Sequence, residues 1–125
     1  MRAAVTAPGE SGPGGFVVEH RPDPTPGPGE LVLRVAANGI CGSDLSTAPL
    51  LPAGTIMGHE FAGEIVAIGK DVDRPLRIGQ RVSAEGHVID LNSEAARAGH
   101  FHLDPKTRGI GVNRQGAFAE YVVAP

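Results

Sequence analysis

Glycine and proline interrupt this sequence so often that a long helix has almost nowhere to form. The 125 residues include 18 glycines and 11 prolines, and both residue types favour turns over helix interiors. The densest run, residues 22–30, reads PDPTPGPGE and predicts a loop, because each proline fixes φ and removes a backbone donor. Many short strands joined by turns are therefore expected.

The segments between these turns have the alternating pattern of strands. In residues 30–40 (ELVLRVAANGI), Leu31, Leu33, Val35 and Ala37 occupy alternate positions and are expected to share one face. At least six closely spaced candidates favour a barrel or sandwich over a parallel sheet, so the predicted fold class is mainly β. The other strands are predicted in residues 1–7, 15–21, 61–69, 77–89 and 117–125.

Two short helices are expected beside these strands. Residues 43–48 (SDLSTA) allow a turn or two, with Ser43 as a candidate cap. Residues 92–99 (NSEAARAG) have Asn92 as a candidate N-cap and Gly99 where a glycine commonly ends a helix.

Length and charge exclude several classes of function. A chain of 125 residues and 12.9 kDa suits a single domain, 1–125. Its net charge of −3 argues against nucleic acid or an anionic membrane as a partner. No apolar run approaches the roughly 20 residues that span a bilayer. The single cysteine excludes an internal disulfide and is typical of a reducing, cytoplasmic setting.

That cysteine lies in a glycine-flanked segment, GICGSDL, and a second glycine-framed segment, GHEFAGEIVAIG, follows it. Taken singly, Cys41 is a small buried side chain and His59 an ordinary hydrogen-bonded histidine. Taken together, thiolate and imidazole are common zinc ligands, and a catalytic zinc takes three protein ligands. Glu60 is a candidate third ligand, Asp44 can fix the His59 tautomer, and Ser43 offers a hydroxyl for proton transfer.

The two segments resemble the zinc-binding signature of the medium-chain zinc-containing alcohol dehydrogenases. Residues 77–87 and 109–125 are most similar to the threonine and polyol dehydrogenase branch. The resemblance implies a GroES-like β-barrel with one or two short helices. It also implies that Cys41 and His59 bind the catalytic zinc, with Glu60 beside them as an exchangeable ligand or as a carboxylate that contacts a ligand. By the same resemblance, the Ser43 hydroxyl takes the alcohol proton. Ser43, Asp44 and Glu60 are therefore the candidate catalytic residues.

The implied activity is a zinc-dependent, NAD(P)-linked dehydrogenation of a small-molecule alcohol, polyol or threonine-type substrate. In that family the metal lowers the pKa of the alcohol, and a hydride passes from the carbinol carbon to the nicotinamide. Whether the cofactor is NAD or NADP is left open, because the residue that discriminates them lies in the cofactor domain.

The sequence departs from the family pattern at several positions. Ser46 stands where the family usually has a relay histidine, and serine does not titrate near pH 7. The four cysteines of a structural zinc are absent, so a Cys₄ zinc is excluded. A different metal at that lobe is a minor alternative, and His20 and His87 are interpreted as solvated. The positions concerned are Asp90, Ser93, Ala96 and Asp104, with His100 and His102 nearby.

No G-x-G-x-x-G fingerprint occurs in the chain, so no dinucleotide site is expected here. In the family a Rossmann domain and a further zinc ligand lie beyond this region. The chain is therefore expected to be inactive alone, and to pair with a separate Rossmann-domain partner or form a homodimer.

Two non-enzymatic alternatives remain. The chain can be a stand-alone GroES-like barrel that serves as a binding or interaction module, which the missing cysteines and Ser46 would fit. A co-chaperonin role follows only from analogy with the barrel and gives the zinc motif no purpose.

Overall fold

A computed structural model describes residues 1–7, 9 and 15–125. Within these residues the chain is dominated by short strands, as predicted, and contains two α-helices and two 3₁₀ turns (Ala48–Leu50 and Phe101–Leu103). The helices are α1 (Gly42–Thr47) and α2 (Glu94–Arg97). The strands are β1 (Arg2–Thr6), β2 (Phe16–His20), β3 (Leu31–Gly39), β4 (Glu60–Ile68), β5 (Arg81–Ser83), β6 (His87–Val88), β7 (Arg108–Gly109) and β8 (Tyr121–Ala124).

The strands form three antiparallel sheets. The largest has the order β5-β4-β3-β8, and β1–β2 and β6–β7 are two-stranded. Isolated bridges from Ala3 to Ala119 and from Val5 to Ile56 attach the β1–β2 pair to the rest of the chain. The mainly β prediction is confirmed, although the sheets of the described residues do not close into a continuous barrel.

The segment 77–89, predicted as one strand, forms two short strands, β5 and β6. Strand β7 was not predicted, because two residues without an apolar pattern carry no periodic signal. In β3 the register shifts between Val35 and Ala37, which is a β-bulge at Ala36. Ala37 is consequently exposed, and the prediction that it shares the buried face of Leu31 and Leu33 is wrong.

The main core lies on one face of the four-stranded sheet. Leu33 and Ile65, which are opposite each other in β3 and β4, have no exposed surface. Because one face of each strand is buried, apolar residues recur at alternate positions, and this alternation is the pattern that predicted the strands. The buried residues of this core are Leu31, Leu33, Phe61, Ile65, Ile110, Ala117, Val122 and Ala124.

Both predicted helices are present, but their caps differ from those predicted. The N-cap of α1 is Cys41, and Ser43 lies inside the helix. The N-cap of α2 is Ser93, whose Oγ accepts a hydrogen bond from the Ala96 backbone N–H at 3.1 Å. Asn92 is therefore not the cap. Gly99 has φ of +77° just beyond α2, as expected for the glycine that ends a helix.

One partly buried ion pair joins the proline-rich loop to the segment before β8. The Arg114 guanidinium donates to Glu30 Oε1 at 2.6 Å, and Glu30 Oε2 accepts from the Gly27 N–H at 2.8 Å. Burial raises the pKa of Glu30, but the Arg114 hydrogen bond, the Gly27 hydrogen bond and the Arg114 charge outweigh it. The pKa of Glu30 is consequently lowered.

Replacing this carboxylate by Glu30→Gln is expected to lower the free energy of unfolding at pH 7 by about 1–2 kcal/mol. Because the folded pKa is the lower one, the contribution is complete above the unfolded value, about 4.5, and is lost as pH falls through the folded pKa. Urea unfolding at pH 7 and at pH 3.5 measures it. Glu64→Gln is the control: Glu64 pairs with Arg34 at the surface, so a change within about 0.5 kcal/mol is expected. An equal loss in both variants would contradict the argument.

Candidate metal site

The candidate site lies where β3 ends and β4 begins. Cys41 follows β3 by two residues, and His59 directly precedes Glu60, the first residue of β4. The two strands are antiparallel, with Gly39 opposite Glu60. This pairing brings together two segments whose candidate ligands are 18 positions apart in the sequence.

Three side chains meet at this point. A ligand atom from each of Cys41, His59 and Glu60 lies within 4.8 Å of the other two. Cys41 and His59 are partly buried, and Glu60 is exposed. In the described part of the chain, no other group of three or more His, Cys, Asp or Glu residues is close enough to hold a metal ion. A thiol, an imidazole and a carboxylate are a donor set that suits zinc.

Asp44 connects the two ligand segments. Its Oδ2 accepts a hydrogen bond from the Cys41 backbone N–H at 2.9 Å, and its Oδ1 lies 3.4 Å from Nδ1 of His59. The Asp44 side chain is 4% exposed, against 27% for His59. A carboxylate beside Nδ1 favours the tautomer with its proton there, which leaves Nε2 free to bind a metal.

Glycines set the backbone close to His59. Gly58 has φ of +92°, and a Cβ there would overlap the Asn38 amide and the Phe118 ring. Gly86 packs against His59, since a Cβ at Gly86 would lie 3.6 Å from the His59 Cβ. Sequence reasoning singled out the glycine frames but did not identify these contacts, which depend on neighbours distant in sequence.

Asn38 was also not identified from the sequence as a residue near this site. Neither atom of its side-chain amide has a hydrogen-bond partner among the residues that the structure describes, although both atoms are buried. The signal in the sequence was a polar residue near the end of an otherwise apolar strand pattern.

The remaining predicted residues lie outside the cluster. Ser43 and Ser46 are exposed in α1, where Ser46 Oγ donates to the Ser43 carbonyl at 3.1 Å. His87 pairs with Glu85 at 2.7 Å, and His20 is exposed on β2. Within the described ranges, the alternative lobe metal site is not assembled, because its histidines and aspartates form no ligand group. Those residues are Asp90, His100, His102 and Asp104.

A comparison with models of protein families shows which known proteins this chain resembles. Residues 27–125 match the model of the alcohol dehydrogenase GroES-like domain, which covers most of the chain, both ligand segments included. The chain belongs to that family. The resemblance noted in the sequence is thus confirmed, and the region corresponds to the catalytic-domain portion of zinc-dependent threonine and alcohol dehydrogenases.

Comparisons with individual proteins support the same family assignment. The chain is 50% identical over 118 residues to an L-threonine 3-dehydrogenase of Ruegeria pomeroyi, covering 89% of this chain and 34% of that protein. A thermostable alcohol dehydrogenase of Pyrobaculum aerophilum, solved with cobalt and zinc, matches with TM-score 0.86 and 30% identity over 100% of this chain and 39% of that one. An Escherichia coli alcohol dehydrogenase, solved with NADH, matches with TM-score 0.87 and 30% identity over 100% and 36%.

The GroES-like domain therefore spans about a third of the length of the relatives that it matches. Among the described residues, no helix has both the length and the apolar character needed to cross a bilayer.

Proposed function

We propose that this domain is the zinc-binding catalytic portion of an NAD(P)-linked dehydrogenase that oxidises L-threonine or a related small alcohol. The observation that carries the proposal is the cluster of Cys41, His59 and Glu60 at one end of the β3–β4 hairpin. The 50% identity to the Ruegeria L-threonine 3-dehydrogenase favours threonine over polyols and simple secondary alcohols.

In this proposal Cys41, His59 and Glu60 hold the metal. A zinc ion bound there supplies a Lewis acid that lowers the pKa of an alcohol substrate. The Cys41 thiol must lose its proton to act as a ligand, and the Nε2 atom of His59 must carry no proton. Asp44 contributes by accepting the Cys41 N–H and by keeping the His59 proton on Nδ1.

Proton removal is assigned to the exposed face of α1. Ser43 follows Cys41 by two residues, so its hydroxyl is proposed to receive the alcohol proton. The next hydroxyl along the helix, that of Ser46, contacts the Ser43 carbonyl. Since neither side chain titrates near pH 7, the proton must continue to water rather than remain on the protein.

If Asp44 orients His59, Asp44→Asn is expected to weaken zinc binding about 10- to 100-fold. Asparagine retains an oxygen that accepts the Cys41 N–H, so the fold of α1 should survive. Competition with a chromophoric chelator measures the affinity, and Asp90→Asn, at an exposed position, is the control. Unchanged affinity in Asp44→Asn would remove this role from Asp44.

The hydride acceptor has to come from elsewhere, because this sequence has no G-x-G-x-x-G fingerprint. We propose that NAD(P) binds to a Rossmann-type domain placed against this one. Large exposed apolar side chains in the segment that follows β3 support a partner surface here: Ile40, Leu45 and Leu50 are 72%, 74% and 81% exposed. A homodimer through the same surface is the alternative arrangement.

A chimera tests the proposed function directly. This chain replaces the matching N-terminal region of the Ruegeria L-threonine 3-dehydrogenase, and NAD⁺ reduction is followed with L-threonine, sorbitol and 2-propanol. Activity on L-threonine that disappears with Cys41→Ser supports the proposal. A folded chimera that binds zinc but oxidises none of the three alcohols would favour a non-catalytic binding module instead.

A further inference from the structure

We propose that Gly39 is the positioning residue for Glu60, and that its missing side chain is what allows the Glu60 carboxylate to join Cys41 and His59. The proposal rests on the metal site proposed above and adds a residue outside the ligand set. It starts from the register of the hairpin, in which Gly39 and Glu60 are cross-strand partners.

The contact between these two residues is unusually close. A Cβ placed on Gly39 would lie 2.5 Å from Glu60 Oε2 and 3.3 Å from the Glu60 Cβ. Directly opposed residues in antiparallel strands normally have Cβ atoms about 4.5–5.5 Å apart. The Glu60 side chain therefore occupies space that any other residue at position 39 would fill.

Two responses to a methyl group at this position are available. Glu60 can rotate its flexible side chain away, or the ends of β3 and β4 can separate by a few tenths of an ångström. Either response moves the carboxylate relative to the Cys41 Sγ and the His59 ring. The metal site is thus sensitive to a residue that supplies no ligand atom.

The backbone does not itself require glycine at this position. The positive-φ glycines of the described chain do not include Gly39, so alanine can adopt its conformation without strain. Gly39 is also exposed, at the end of β3. Alanine there should leave the fold intact or slightly stabilise it by restricting the unfolded chain. An effect of Gly39→Ala on metal binding then reports on Glu60 rather than on misfolding.

Gly42 provides a matched control. It follows Cys41 directly, its φ is not positive, and an added Cβ would meet nothing within 4 Å. Gly42→Ala therefore makes the same glycine-to-alanine change, directly beside Cys41, without touching Glu60.

The experiment is a double-mutant cycle on the purified chain. Zinc affinity is measured by competition with a chromophoric chelator for the wild type, Gly39→Ala, Glu60→Gln, the double variant and Gly42→Ala. We expect Gly39→Ala to weaken zinc binding about 10-fold and Glu60→Gln about 10- to 100-fold. In the Glu60→Gln background, Gly39→Ala should add no more than about a 2-fold change, since no carboxylate remains to be displaced. Gly42→Ala should match the wild type, and the apo Tm of Gly39→Ala should not fall.

Several results would overturn the proposal: wild-type affinity in Gly39→Ala, equal weakening by Gly39→Ala in both backgrounds, or wild-type affinity in Glu60→Gln. A different result would show that the proposed function itself is wrong. In that case the wild type binds no zinc, or Cys41→Ser binds zinc as tightly as the wild type does.

Discussion

Cys41→Ser is expected to weaken zinc binding by at least about 100-fold, and His59→Gln by a similar factor. Each substitution removes one of the two ligands that favour zinc over harder cations. A serine hydroxyl is not deprotonated near neutral pH, so it does not replace the thiolate. Elemental analysis of the purified chain, followed by chelator competition, measures both the stoichiometry and the affinity.

The control for these variants is His20→Gln. His20 is an exposed histidine on β2, in a different sheet from β3 and β4, at whose ends the candidate ligands lie. It should keep the zinc content of the wild type, and all three variants should unfold within about 0.5 kcal/mol of the wild-type apo protein, because none of the three side chains is fully buried. Equal zinc content in the wild type and Cys41→Ser would show that the metal binds elsewhere.

The largest effect on stability is expected for Leu33→Ala. Leu33 is the third residue of β3, has no exposed surface and belongs to the main core. Truncating such a residue removes buried methyl groups and leaves a cavity, which costs about 3 kcal/mol within a usual range of 2–5. A domain of this size is stable by only about 5–15 kcal/mol, so Tm should fall by roughly 10 °C.

Leu50→Ala is the matched control, because the same atoms are removed from a side chain that is 81% exposed. Its free energy of unfolding should stay within about 0.5 kcal/mol of the wild type. Denaturant unfolding of both variants gives the comparison, and the slope with denaturant should not change. A loss below about 1 kcal/mol in Leu33→Ala would mean that the core around β3 rearranges to fill the space.

The sequence allowed the strand pattern and the proximity of Cys41 to His59 to be predicted, because the signals for both are local. Apolar alternation located β3, and the glycine-framed cysteine and histidine marked the two segments of the site. The contact between Asp44 and His59 was also anticipated, since the three-residue step from Cys41 places Asp44 in the first turn of α1.

What escaped prediction depends on pairing between distant segments. The approach of Gly39 to Glu60 follows from the pairing of β3 with β4. The approach of Gly86 to His59 joins two loop positions that are far apart in the sequence. Periodicity fixes the face of a residue but not its partner. The very short strand β7 was similarly not predicted, because two residues cannot show an alternation.

Two bulges divide the pairing of β3 with β4 into three stretches. Val32 lies opposite Ala67 and Leu33 opposite Ile65, so Val66 is the extra residue of β4. Val35 lies opposite Gly63 and Ala37 opposite Ala62, so Ala36 is the extra residue of β3. The core stretch can therefore be repacked without altering which residues meet beside Cys41. A deletion of Ala36 would remove the extra residue and still leave Ala37 opposite Ala62 and Gly39 opposite Glu60. A change of length at this one position should thus be absorbed at the bulge, and the pairing beside the candidate ligands should be preserved.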